Sequence, residues 1–161
     1  MSGDIKTLVV GIGNEYRSDD GAGPEVVRRL RGGEAKFFTA IEAGGEGTAL
    51  MDAWQGWNKV VLVDAVRSGK SPGTLHRIDV NWQEIPDDIF PVSTHAFNLV
   101  HAIDIAKILH RLPPIMVFYG IEGRNFDLGK GLSKEVEKTV DELALRLEKE
   151  LAPGLGGVHH A

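Results

Sequence analysis

Two carboxylates stand side by side at Asp19 and Asp20, inside the stretch GIGNEYRSDDGAG (residues 11–23) that follows the apolar run Leu8-Val9-Val10. A glycine-rich turn after a buried strand ordinarily receives a phosphate, because amides at the start of the next helix point at the ligand and the helix dipole favours negative charge. Neither nucleotide fingerprint is met here. The dinucleotide motif needs a third glycine at the offset where this chain has Tyr16, and the phosphate loop needs a Gly-Lys-Ser/Thr run that is absent. Asp19 and Asp20 would themselves occupy or repel an anion at that position, so the loop reads as a holder of a cation or a proton. The structural alternative is that one of them caps the following helix.

The residues that are missing narrow the chemistry further. The chain has no cysteine, so thiolate metal sites, a cysteine nucleophile and a disulfide framework are excluded, leaving oxygen and imidazole ligands for any metal. No serine lies in a Gly-x-Ser-x-Gly elbow and no His-Glu-x-x-His helix is present. With 18 basic and 23 acidic side chains the net charge is −5, and the basic residues form no stripe that could neutralise a phosphate backbone. Nucleic acid is not expected as a partner. The first residues carry neither a basic signal start nor an apolar span, so membrane insertion is not expected and the expected location is the cytoplasm.

Elements that could position these groups follow from the periodicity. β-branched runs over 7–12, 35–41, 59–63 and 115–121 read as buried strands, and 74–80 as a polar-alternating antiparallel edge strand. Helical patterns cover 23–30, with Pro24 in the first turn, then 47–55 and 96–109, and a last helix that Ser133 can cap. Alternating strands and helices predict an α/β three-layer sandwich, a mostly parallel twisted sheet with one antiparallel edge strand and helices on both faces. The 161 residues suit one such domain over 1–151, followed by a tail, 152–161, expected to be flexible, and a monomer is the default.

In an open α/β sheet, ligands sit beyond the carboxyl ends of the strands where the winding reverses. Asp20 follows the first strand, Glu42 ends the second, Asp64 ends the third, and His95 precedes the helix over 96–109, so four ionisable groups can reach one sheet edge. Two carboxylates and an imidazole, Asp20, Asp64 and His95, are a competent set for a first-row divalent metal. Each also has a structural reading: Asp64 can bond loop amides, Glu42 can be merely exposed, and His95 can cap or pack. His101, His76 and His110 read as structural, and His159-His160 as adventitious metal scavengers. Trp54, Trp57, Phe90 and Phe97 read as core, with part of that cluster available as a rim.

The segments GIGNEYRSDDGAGPEVV, VLVDAVRSGKSPGTL, STHAFNL and YGIEGRNFDLGKGLSKEVEKTVDELALRL, in this order between about residues 6 and 150, resemble the hydrogenase maturation proteases. These endopeptidases trim the C-terminus of the large subunit of [NiFe] hydrogenases. The resemblance implies that Asp20, Asp64 and His95 bind metal, since they match the second aspartate of DDG, the aspartate closing the third strand and the histidine of STH. It implies a partner, the large-subunit precursor, and a metal, nickel, carried in by that precursor, for which another divalent ion can substitute in isolation. The family usually has an acidic residue followed directly by Gly-Gly after the second strand, whereas this chain reads Glu42-Ala43-Gly44-Gly45. On this resemblance Asp20, Asp19 and Glu42 are the candidates for catalysis, the last two as general bases activating water. A resident hydrolytic metal is the second chemical possibility, and a non-proteolytic nickel-delivery chaperone for the same subunit is the alternative function.

Overall fold

A computed structural model describes residues 5–33, 37–91 and 97–153. Five strands form one sheet in the order β2-β1-β3-β5-β4, where β1 is Thr7–Ile12, β2 Thr39–Ala43, β3 Lys59–Val66, β4 Leu75–Asp79 and β5 Ile115–Glu122. All neighbours are parallel except β4, which runs antiparallel along the edge of β5. Four α-helices, α1 Ala22–Arg31, α2 Gly47–Trp54, α3 Leu99–Ile108 and α4 Lys134–Glu150, complete the three-layer α/β sandwich expected from the sequence.

The period of two sorts the strands onto two cores. Val9, Val61, Val63, Val117 and Tyr119 face α1 and α4, while Leu8, Val10, Val60, Leu62, Met116 and Phe118 face α2 and α3. Because both sides of β1, β3 and β5 are covered, these strands are apolar almost throughout, as a buried parallel sheet requires. Chain order then dictates the layers: β1 leads to β2 on one side, and β2 leads back across β1 to β3 on the other. Right-handed crossovers in opposite directions demand helices on opposite faces, and α1 and α2 do lie on opposite faces. The winding reverses between β1 and β3, and a crevice opens beyond their carboxyl ends.

The element boundaries differ from the periodicity in informative ways. β3 continues past Asp64 to Val66 because β5 keeps pairing with it, Asp64 opposite Gly120 and Val66 opposite Glu122. β2 extends to Ala43, so that Glu42 lies within it opposite Gly11, while residues 35 and 36 of the expected strand fall outside the described residues. α3 starts at Leu99, later than expected, because the Asn98 side chain accepts from the amides of Val100 (3.1 Å) and His101 (3.3 Å). His101 completes the capping box with Nδ1, which accepts from the Asn98 amide at 3.2 Å. Ser133 does stand at the N-cap of α4, but its side chain makes no cap hydrogen bond. The tail from 154 onward lies outside the described residues.

The seat of α1 on the sheet depends on one glycine pair. A Cβ at Gly23 would meet the carbonyl oxygens of Ile12 and Val63, the second at 2.5 Å, and a Cβ at Gly11 would meet the carbonyl of Gly23. Both obstacles are backbone atoms of packed elements, so the helix itself must retreat. Gly23→Ala is therefore expected to lower stability by about 2–3 kcal/mol, near the upper end for overpacking, measured by urea unfolding.

Candidate active site

The opening loop is rolled up by its own polar groups. Gly13, at a φ of 147°, turns the chain out of β1 while its amide donates to the Ala43 carbonyl at 3.0 Å. Asn14 then does two things: its side chain accepts from the Tyr16 amide at 2.9 Å, and its own amide donates to Oδ2 of Asp20 at 2.9 Å. A single 3-10 turn, Ser18–Gly21, leads into α1 and carries both aspartates.

That turn sends the two neighbours in different directions. Asp19 is fully buried and pins the segment between β5 and α4: its carboxylate accepts from the amides of Arg124 (2.8 Å), Asn125 (3.0 Å) and Ser133 (2.7 Å) and from the Ser133 hydroxyl (2.7 Å). The hydroxyl expected to cap α4 is spent on Asp19 instead, because a buried carboxylate without donors would be far costlier than a helix end left to solvent. Asp20 instead lines a cavity of about 430 Å³ at the switch point between β1 and β3, together with Asp64, Asn14, Arg17, Pro24 and Phe90. Asp19 is not part of that lining.

Asp64 enters the same cavity from β3, on the sheet face covered by α2 and α3, where Leu62 and Val66 are its apolar neighbours in phase. It is 8% exposed, and its Oδ1 accepts from the Ala65 amide at 2.8 Å. Burial first and the Asp20 charge second push its carboxyl well above the ordinary value, against the Ala65 amide. Burial likewise raises Asp20, opposed by the Asn14 amide and the Arg17 charge. Burial raises both carboxyls, and the Asp20 charge adds to that of Asp64, an arrangement that favours a shared proton or a bound cation over two bare charges.

Glu42 also faces the cavity but is committed. Arg28 forks onto it with Nε to Oε2 at 3.1 Å and Nη2 to Oε1 at 2.9 Å, and Arg31 approaches it at 3.4 Å. The Arg28 hydrogen bond holds Glu42 below the ordinary carboxylate range, which makes it a weak base. His95, the remaining candidate ligand, lies outside the described residues, and among the described residues no group of three or more His, Asp or Glu side chains could hold a metal ion.

A family model described as hydrogenase maturation protease matches residues 24–150. The chain belongs to that family. The match contains Asp64 and His95 but begins beyond Asp20, so the placement of Asp20 in this member rests on geometry. MJ0253 of Methanocaldococcus jannaschii, whose name assigns it provisionally to the hydrogenase maturation proteases, is 34% identical over 84% of this chain and 89% of its own length. Coenzyme F420 hydrogenase subunit delta of Methanothermobacter thermautotrophicus is 28% identical, covering 90% of this chain and 99% of its own. The [NiFe] hydrogenase maturation protease HybD from Thermococcus kodakarensis superposes with a TM-score of 0.73 at 28% identity, over 92% of this chain and all of that one.

Within this hydrogenase maturation protease, the residues that sequence reading missed are Arg28 and Glu15, both lining the cavity. Pro24 and Arg28 are four apart on α1, so helical spacing was a usable signal for Arg28 once Pro24 was placed beside the cavity. The aromatic cluster divides as expected: Trp54 is fully buried, whereas Phe90 is partly buried, meets Phe118 edge-on at 5.9 Å and forms part of the cavity wall. His76 is structural too, paired at 3.0 Å with the buried Glu122 that also receives the Ser68 amide and hydroxyl. No helix among the described residues is long and apolar enough to cross a membrane.

Proposed function

We propose that this protein is the endopeptidase that removes a C-terminal peptide from the nickel-loaded precursor of a [NiFe] hydrogenase large subunit, acting in the cytoplasm as a monomer. The observation that carries the reading is the pair Asp20 and Asp64, a part-buried and a buried carboxyl on separate elements that face one cavity at the switch point, the Asp20 charge adding to the burial that raises Asp64. Such a pair is poorly suited to an anion or a neutral group and well suited to a divalent cation. Nickel enters as part of the substrate, and the donor set fits it: Asp20 and Asp64 supply oxygen, and His95, on the family resemblance, supplies the imidazole. Grasping that ion would let the protease tell a loaded precursor from an empty one, and the ion, when bound, would supply Lewis acidity.

The chain's own residues then divide the remaining work. Asp19 is a positioning residue that ties the first loop to the segment before α4. Because Glu42 is held as a weak base, an ionised carboxylate of the Asp20–Asp64 pair is the better group to take a proton from the attacking water and return it to the leaving amine. The experiment is mass spectrometry of a large-subunit precursor, with and without nickel, after incubation with this protein. Loss of a C-terminal peptide only from the loaded precursor is the expected result. Loss from both forms would sink nickel gating, and tight binding with no mass change in either would turn the reading to nickel delivery.

A further inference from the structure

An open sheet has two edge strands, here β2 and β4, and only β2 runs into the cavity. Glu42 belongs to β2, Gly44 follows it and both line the cavity wall, whereas no residue of β4 does. Successive residues of a strand send their amide and carbonyl to opposite sides. The Ala43 carbonyl accepts from the Gly13 amide beside β1 at 3.0 Å, so Ile41 and Ala43 bond inward while Ala40 and Glu42 face the open side. One outward group is covered: Arg31 donates Nε and Nη2 to the Ala40 carbonyl at 3.2 and 3.0 Å. The Ala40 amide and the Glu42 amide and carbonyl meet no hydrogen-bonding partner among the described residues. Gly44 continues this bare edge. Its φ lies outside the left-handed region and a Cβ there would meet nothing within 4 Å, so neither the backbone nor local packing calls for glycine.

We infer that the free edge of β2 is where the precursor's polypeptide docks, as an added strand that leads the scissile bond toward the cavity. This inference rests on the reading that the protein is an endopeptidase. The occupant follows from what the edge offers, since main-chain donors and acceptors in a row recognise an extended backbone and leave selectivity to the side chains. A segment seated along β2 is held extended, and its peptide bonds pass the carboxyl end of β2, where the cavity begins. Glu42 can exchange both of its hydrogen bonds with one residue of an incoming strand, at the position nearest the cavity. Arg31 withholds the Ala40 carbonyl one step further back and leaves only the amide there. A charged side chain over part of an edge also discourages pairing with a second copy of the chain. Gly44, with no side chain, lets the incoming backbone approach closely where it leaves the edge for the cavity.

The test is residue-resolved hydrogen exchange of the wild-type protein, alone and in a short pulse under saturating nickel-loaded precursor. The amides of Ala40 and Glu42 are expected to exchange at least about tenfold more slowly with precursor, because a bonded amide exchanges only when its bond opens, while those of Ile41 and Ala43 change little. Ala40→Pro deletes the outward donor at position 40 and leaves the bonds to β1 in place. It should raise KM for the precursor about two- to tenfold, the loss of one hydrogen bond, with kcat within about twofold of the wild type. Precursor that is cut while both outward amides keep their rates overturns the inference and leaves the endopeptidase reading standing, and so does an unchanged KM in a folded Ala40→Pro protein. Slowing that grows with the concentration of the protein alone assigns the edge to a second copy and overturns the inference too. Precursor that is neither bound nor cut overturns the reading and the inference together.

Discussion

Asp64→Asn is expected to raise the stability of the isolated protein while abolishing processing of the nickel-loaded precursor. The native carboxyl is buried, and both its surroundings and the Asp20 charge raise its pKa well above the ordinary carboxylate value. A carboxyl with a raised folded-state pKa binds more protons in the native state than in the unfolded one. Stability therefore falls as pH rises from the ordinary carboxylate range through the raised value, and the deficit persists above it. Asparagine never ionises, so the variant should match the wild type at acid pH and exceed it near neutrality by about 1–2 kcal/mol, or some 2–8 °C in melting temperature. Its amide oxygen can still accept from the Ala65 amide, but it cannot contribute charge to a cation. Processing should drop by more than about a hundredfold, beyond the 10–100-fold typical of losing an outer-shell partner of a metal ligand. Melting curves over pH and the precursor cleavage assay check the two halves independently. A melting temperature that falls at neutral pH would mean that Asp64 supports the fold in its ionised form, and a fully active variant would remove it from the site.

One residue away from Asp20, the opposite trade is expected. Asp19→Ala should lower stability by about 3–5 kcal/mol, because it strands the amides of Arg124, Asn125 and Ser133 and the Ser133 hydroxyl around an empty position. For a domain of this size that is roughly 6–20 °C in melting temperature, enough to leave the segment before α4 loose at ordinary temperatures. Asp20→Ala, by contrast, removes one hydrogen bond, from Asn14, at the edge of a cavity, and should melt close to the wild type while losing processing. Parallel melting curves of the two alanine variants check the contrast. If both variants unfold alike, the division of labour within the 3-10 turn is wrong.

The fold was largely legible in the chain because its signals are local. Alternating β-branched runs and amphipathic segments, Pro24 in a first turn and the polar alternation of the strand that became β4 are read within a window of about ten residues. Asp20 and Asp64 were legible as cavity residues for a related reason: the carboxyl ends of β1 and β3 converge at the switch point of the sheet, so residues just after β1 or near the end of β3 are brought to one crevice. The boundaries that moved did so where pairing with another strand overrode local pattern, as at β3, which continues to Val66 because β5 does.

Sequence by itself thus determined the layered α/β architecture, the family and the two carboxyls that share the cavity. Tertiary structure decided which neighbour in the DDG run turns inward and which outward, since a 3-10 turn separates consecutive side chains by about 120° and the burial of each depends on what packs there. It decided that Ser133 serves Asp19, a partner 114 residues away, and leaves its helix uncapped. It also decided that Glu42 is held by Arg28 across 14 residues of chain. Such partnerships join residues distant along the chain through the closure of the sheet, and no local window contains both members.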